Sequence, residues 1–455
     1  MNEEMTDTPR GSESDATITP PAEEQTGRDI CSAEPQPAKI SEQSIPQPQV
    51  AFKSPSAKAA PRRTLHSVVR RLKGYAISIG FGIIIAAMMI ASIVIVPSLR
   101  VFFSERMTAN GLGMFMVYWI AGMVILVAVM YAQIIIHEGG HLVCGLASGY
   151  RFVSFRVASL ILYRDGSRLR FGRFSIAGTA GQCLLEPPTG RIEDADRMPL
   201  GAYFMGGAAA NLTVAAAAAA LLATGIQNTA AAFTASMFLF TGIVTAAMNG
   251  LPIRVGGMPN DGFNARIMRR DIEIRRMLWI QLTVNAQYSR GRLLRDMPDE
   301  WFAIPQGADL ANHMYTSVAL FDVWRQIERR DFAAADDLLL RLHLREGRMI
   351  ELYRLETAAE RMFVAVMLQR PLQSIRNIFT DRVRAYVAAD ARYNISHALE
   401  LYAWERFVEG DAERAADRAE TIRRAMPHHH AGGEAADCAE LLAWMETLPD
   451  NYLCN

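Results

Sequence analysis

The chain has 455 residues, and its 47 Lys and Arg are matched by 47 Asp and Glu, so no net charge draws it to nucleic acid. Nearly all strongly apolar sequence lies between about Gly74 and Pro252 with polar sequence on either side, a layout that excludes an ordinary soluble domain and predicts a membrane protein. The five cysteines, Cys31, Cys144, Cys183, Cys438 and Cys454, form no C-x-x-C pair, which argues against a disulfide framework and for reduced thiols.

Residues 1–63 are rich in Glu, Pro, Ser and Thr and poor in aromatic residues, which predicts a disordered tail. The tail lacks the short basic start and immediate apolar core of a secretory signal, so it is expected to stay in the compartment of synthesis. Residues 64–270 form the expected membrane-embedded core. A membrane-crossing helix needs about 20 mostly apolar residues, and four stretches qualify: 75–97, 112–147, 200–225 and 229–252. The second is too long for a perpendicular crossing and is expected to tilt or to project from the hydrocarbon. The third is built of small residues, which suits an inner helix of a bundle. Arg62, Arg63, Arg70, Arg71 and Lys73 precede the first span and place the amino terminus in the cytoplasm. Segment 149–199 then falls on the same side, and its eight arginines agree, against only Arg100 and Arg106 in the expected outer loops. The carboxyl-terminal third, opening with Arg254, Arg266, Arg269 and Arg270, is cytoplasmic by the same count.

Within 149–199, two strand-like runs flank Asp165-Gly166, a pair that favours the tight turn of a β-hairpin. The run AGTAGQCLLEPP that follows is apolar but too short to span, and reads as a re-entrant or interfacial loop. Residues 271–455 read as a soluble helical domain with an internal repeat. Trp324 matches Trp404, Asp331 matches Asp411 and Ala335 matches Ala415, each eighty positions apart, and the weaker stretch around Val364, Pro371 and Ile375 suits a middle copy. The last pair, with Ala403, Ala415 and Pro427, resembles a tetratricopeptide repeat, which implies a groove for a cytoplasmic protein partner; an irregular bundle without a groove is the rival reading. His428-His429-His430 sits in a loop flanked by Pro and Gly and is expected to be solvated.

Chemistry concentrates in His137-Glu138-Gly139-Gly140-His141. Residues four apart share a helix face, so His137 and His141 can offer two imidazoles to one metal, with Glu138 placed to act on a water beside it. Chance matches occur in soluble helices, but ionisable groups at a membrane helix centre cost about 2.5–3.5 kcal/mol each, so this run needs a compensating partner. Zinc fits, and a catalytic zinc site takes three ligands from protein. Asp261, after the break Asn249–Pro252 and ahead of Gly262, is the candidate third ligand, with capping of the following helix as the competing role. A glycine inside a helix costs about 1 kcal/mol relative to alanine, so Gly139-Gly140 implies close approach of a neighbouring helix or a substrate strand.

His-Glu-x-x-His in an apolar helix, followed about a hundred residues later by Asn-x-x-Pro and Asp-Gly, resembles the site-2 protease family over about residues 112–265. The resemblance implies His137, His141 and Asp261 as zinc ligands, Glu138 as general base, and cleavage of membrane protein substrates within or near the lipid bilayer. Gly207 to Asn211 fits a further family motif with Ala208 in place of its proline, while Asn260 stands where a leucine is usual and the gap from Pro252 to Asp261 is long. Asn211 and Asn249 are candidate substrate hydrogen-bond donors, with helix packing as the rival role. The hairpin at Asp165-Gly166 is expected to offer an edge for strand addition. The fold expected is thus mainly α: a polytopic bundle of about four spans, a small cytoplasmic hairpin and a helical repeat domain. A non-catalytic membrane scaffold that binds a partner through the repeats is the alternative.

Overall fold

The computed structural model describes residues 80, 82–176, 179–255 and 258–454. The expected tail 1–63, the basic residues from Arg62 to Lys73 and the start of the first expected span lie outside the described residues.

The described chain begins with α1 (Gly82–Ile95), followed after Val96 by α2 (Pro97–Ala147), and the two meet at a 98° bend. Pro97 explains the break, because proline fits the first turn of a helix but cannot continue one through its missing N–H. Among the described residues, Gly82–Ile95 and Pro97–Arg106 qualify as a membrane crossing together, as a bent pair. Three helices among the described residues are long and apolar enough to cross a membrane unaided: Gly113–Ala147 within α2, α3 (Leu200–Ala223) and α4 (Thr229–Gly250), or up to four crossings with the bent pair. On α2 the apolar residues Ile120, Val124, Val127, Tyr131 and Ile135 are all exposed, and their spacing of three or four makes one outward apolar stripe. The inner face lets α3 approach at Gly140, where a side chain would run into the backbone carbonyl of Gly206.

Between α2 and α3 the chain forms β1 (Arg151–Val157), β2 (Leu160–Asp165), β3 (Arg168–Arg173) and β4 (Gly181–Glu186). They make one antiparallel sheet in the order β3-β2-β1-β4. The expected hairpin exists as β2 and β3, turning at Gly166-Ser167 with Gly166 at φ 59°, but it is half of a larger sheet. The expected re-entrant loop is instead the edge strand β4, since Cys183 and Leu185 alternate inward and bury against the core.

After α4 come the two-residue strands β5 (Arg254–Val255) and β6 (Met258–Pro259), then α5 (Asp261–Met268) and α6 (Ile272–Ser289). Trp279, Ile280 and Val284 of α6 are fully buried in a core shared with Leu185 and Tyr203. Arg290, just past α6, clasps Glu186 at the end of β4 with bonds of 2.8 and 2.5 Å. The boundary expected at 270/271 therefore falls between two helices that share one core with the sheet.

The remaining helices are α7 (His313–Glu328), α8 (Phe332–His343), α9 (Glu351–Met367), α10 (Leu372–Ile378), α11 (Asp381–Asp390), α12 (Ile395–Ala403), α13 (Ala412–Ala425) and α14 (Gly432–Glu446). Helices α8, α10 and α13 start forty residues apart, at Phe332, Leu372 and Ala412. Asp331 and Asp411 cap α8 and α13 by accepting from Ala334 and Arg414 N–H, and Ala335, Ile375 and Ala415 are buried one turn in. The histidine run is not solvated throughout. His429 Nε2 lies 2.9 Å from Glu434, and the ring of His430 lies 4.1 Å from that of Phe174, so contacts from the sheet side and α14 cover what the sequence presents as a polar loop.

Candidate metal centre

His137 and His141 sit one turn apart on α2, their rings edge to face at 4.7 Å and their Nε2 atoms 3.1 Å apart. Asp261, the first residue of α5, brings Oδ2 to 3.1 Å from His137 Nε2 and 3.3 Å from His141 Nε2. Asn260 steers it there. Its Oδ1 caps α5 by accepting from Phe263 N–H at 2.9 Å, while its Nδ2 donates to the carbonyls of Met248 and Leu251, both at 2.5 Å. The amide thus closes the broken end of α4 onto the start of α5, and Gly262 lies against the carbonyl of Gly250 with no room for a side chain.

Hydrogen bonds on the far side of each ring set the tautomers. His141 Nδ1 lies 2.7 Å from the Tyr203 carbonyl, which can only accept, so Nδ1 carries the proton. His137 Nδ1 lies 2.9 Å from Asn211 Oδ1, and the amide orientation is fixed because Asn211 Nδ2 donates to Gln133 O at 3.0 Å and Oε1 at 2.6 Å. Gln133 in turn donates to the Phe238 carbonyl at 3.0 Å, which anchors the relay on α4. Both Nε2 lone pairs therefore point at one another and at a carboxylate oxygen, a repulsive arrangement unless a metal cation or an added proton lies between them.

The spacing fits zinc. Edges of 3.1–3.3 Å belong to a tetrahedron whose corners lie about 1.9–2.0 Å from its centre, close to zinc–ligand bonds of about 2.0–2.1 Å. Two imidazoles and one carboxylate also match the borderline-soft donor preference of zinc.

Glu138 is half-buried beside this cluster, its carboxylate against Gly181 at the start of β4, where a Cβ would stand 2.5 Å from Oε1. Gly207 makes the same allowance for the His137 ring, with a Cβ there 2.5 Å from Cε1. Arg156 on β1 is fully buried and holds the loop before β4, donating to Thr179 Oγ1 at 2.5 Å and to the Ala158 carbonyl at 2.7 Å.

The structure thus gathers His137, His141 and Asp261 and sets Glu138 next to them. Asn211 is fully buried behind His137 with both ends of its amide bonded inside the bundle, while Asn249 donates back to the Thr245 carbonyl of its own helix at 3.0 Å. Sequence reasoning missed Gln133 and Gly181, and noted Asn260 only as a departure from the family pattern, without its capping role. Gln133 was within reach, being a polar residue in an apolar run one turn before His137.

What the fold and site define is a mainly helical chain with membrane-length helices and a His-His-Asp cluster able to hold a metal. No family model, curated protein or solved structure matches it. The site itself carries the functional reading.

Proposed function

We propose that this chain is a zinc metalloprotease of the site-2 protease type, hydrolysing peptide bonds of membrane protein substrates within or near the bilayer. The observation that carries the reading is the convergence of His137, His141 and Asp261, with both Nδ1 atoms tied outward and Glu138 alongside. Zinc held there supplies Lewis acidity to polarise the scissile carbonyl. Glu138 takes a proton from the attacking water and returns it to the leaving amine. Strand β4 pairs with β1 on one side and with no strand on the other, where the Cys183 carbonyl accepts from Tyr203 OH at 3.1 Å; the remaining groups of that edge are the ones proposed to receive an extended substrate. That edge begins at Gly181, against Glu138, whereas the free edge of the hairpin expected to serve this role is β3, on the opposite side of the sheet. Strand addition on β4 unwinds a substrate helix and exposes the carbonyl that hydrolysis requires. In this reading both termini are cytoplasmic, as the arginine distribution favours, and the helices from α7 onward form a repeat domain for a cytoplasmic protein partner, as the forty-residue spacing of α8, α10 and α13 favours.

The test is Glu138→Gln in purified protein. The amide keeps the shape but cannot accept a proton, so bound zinc is expected to stay stoichiometric while cleavage of a membrane substrate falls by about 10²-fold or more. Undiminished cleavage would overturn the reading.

A further inference from the structure

Arg156, on β1, is 0% exposed, the most deeply buried cation among the described residues. Its bonds all go to neutral oxygens: Nη1 donates to the Ala158 carbonyl at 2.7 Å, and Nη2 to Thr179 Oγ1 at 2.5 Å and to the Gly181 carbonyl at 3.4 Å. Its Nε is sealed without a partner, and no carboxylate forms an ion pair with it among the described residues. A buried charge left unpaired is costly, and a neutral side chain could fasten the same oxygens without that cost. The charge itself needs an explanation.

One carboxylate is near enough to supply it. Burial pushes the Arg156 guanidinium down, and the charge of Glu138 pushes it back up. Gly181 stands between the two: its carbonyl accepts from Arg156, and a Cβ on it would lie 2.5 Å from Glu138 Oε1. The backbone on the other side of the guanidinium is strained. Ala158, in the turn from β1 to β2, has φ 51°, a left-handed conformation that a residue other than glycine adopts at a cost. Its N–H donates to the Ala180 carbonyl at 2.8 Å and its carbonyl is held by Arg156. The guanidinium thus ties the β1–β2 turn to the residue on which β4 opens, and that same residue abuts Glu138.

We propose that Arg156 is a positioning residue of the protease centre, which aligns the Glu138 carboxylate through its charge and the substrate-receiving start of β4 through its hydrogen bonds. The inference rests on the protease reading for its catalytic consequence, while the pairing of the two charges stands apart from it. Two substitutions divide the tasks. Arg156→Gln keeps a donor and removes the charge, so the base loses its alignment. Arg156→Lys keeps the charge and removes the planar fork, so the edge loses its anchor.

The experiment uses the full-length, zinc-loaded protein in nanodiscs. With a membrane protein substrate, Arg156→Gln is expected to lower kcat per bound zinc by about tenfold or more with little change in KM. Arg156→Lys is expected to raise KM by about threefold or more while keeping most of kcat. Thr179→Val, which removes one acceptor of the fork, should raise KM in the same sense should Arg156→Lys fold poorly. A loop staple with no part in alignment would instead lower zinc content and turnover in step, leaving kcat per bound zinc and KM unchanged, and that result would overturn the proposal. Melting temperatures of wild type, Arg156→Gln, Glu138→Gln and the double variant test the charge pairing without any cleavage. Glu138→Gln is expected to be better tolerated in the Arg156→Gln background than in wild type, because the favourable pairing is already gone. Equal shifts in the two backgrounds would overturn the pairing. Should wild type cleave nothing, the protease reading falls and this thermal cycle alone decides.

Discussion

Asn260 and Asp261 both have side chains suited to cap a helix, and sequence alone leaves the two tasks undivided. The structure divides them. Asn260 takes the cap and the two carbonyls of the broken α4 end, which releases Asp261 to face the histidines. Asp261→Ala is therefore expected to lower zinc stoichiometry and turnover together, with little change in melting temperature. Asn260→Ala should instead cost about 0.5–2 kcal/mol of stability through the lost cap. Metal analysis paired with thermal unfolding separates the two, and full zinc occupancy in Asp261→Ala would remove it from the ligand set. His137 and His141 were legible because a four-residue spacing on a helix is itself a contact. Asn211 was legible as a polar residue in an apolar helix but not in its role, since its partner His137 lies 74 residues away and no local pattern encodes that pairing.

At the scale of elements, the paired glycines after Glu138 show how far composition reaches. Their cost in a helix announces close approach, but the structure separates them: Gly140 meets the α3 backbone at Gly206, while a side chain at Gly139 would meet nothing within 4 Å. Gly140→Val is expected to force α2 and α3 apart and destabilise by about 1–3 kcal/mol or prevent folding. Gly139→Ala should be stabilising by up to about 1 kcal/mol. Melting temperatures in detergent check this, and equal effects at the two positions would contradict the crossing. Strand β4 escaped sequence reading because a short apolar run between Gly and Pro has no period long enough to distinguish strand from loop. The bend at Val96 falls at Pro97, the last residue of the expected span 75–97, and the apolar helix that resumes beyond it to Arg106 was not read as part of a crossing. Asp331 and Asp411, eighty residues apart, were legible as helix caps with Ala335 and Ala415 buried one turn in, whereas the helix start between them has Pro371 and Ile375 at these positions and no capping side chain.

At the scale of the whole molecule, burial of acidic groups sets a pH dependence. Glu328, at the end of α7, accepts from Arg295 N–H at 2.7 Å but leaves Oε1 unpartnered, and burial pushes its carboxyl up to about 7. The folded state then holds a proton that the unfolded chain gives up near pH 4.5. Its stabilising contribution is complete below about pH 4.5 and is lost as pH rises through about 7, worth a few kcal/mol at most. Glu328→Gln cannot titrate, so its melting temperature should gain on wild type between pH 5 and pH 8, assuming roughly those bounds from the shift. A constant difference between the two proteins across that range would contradict the assignment.

The relay behind His137 has one more consequence. It begins at Phe238 on α4, passes through Gln133 on α2 and Asn211 on α3, and the third candidate ligand arrives only with Asp261 on α5. During synthesis the histidines emerge long before the helices that orient them, and until α4 and α5 have docked they are two unaligned imidazoles with no carboxylate between them. Any affinity of the cluster for a metal would thus arise late in assembly. An ion bound there would certify that α2, α3, α4, α5 and the break after Gly250 have all reached their places.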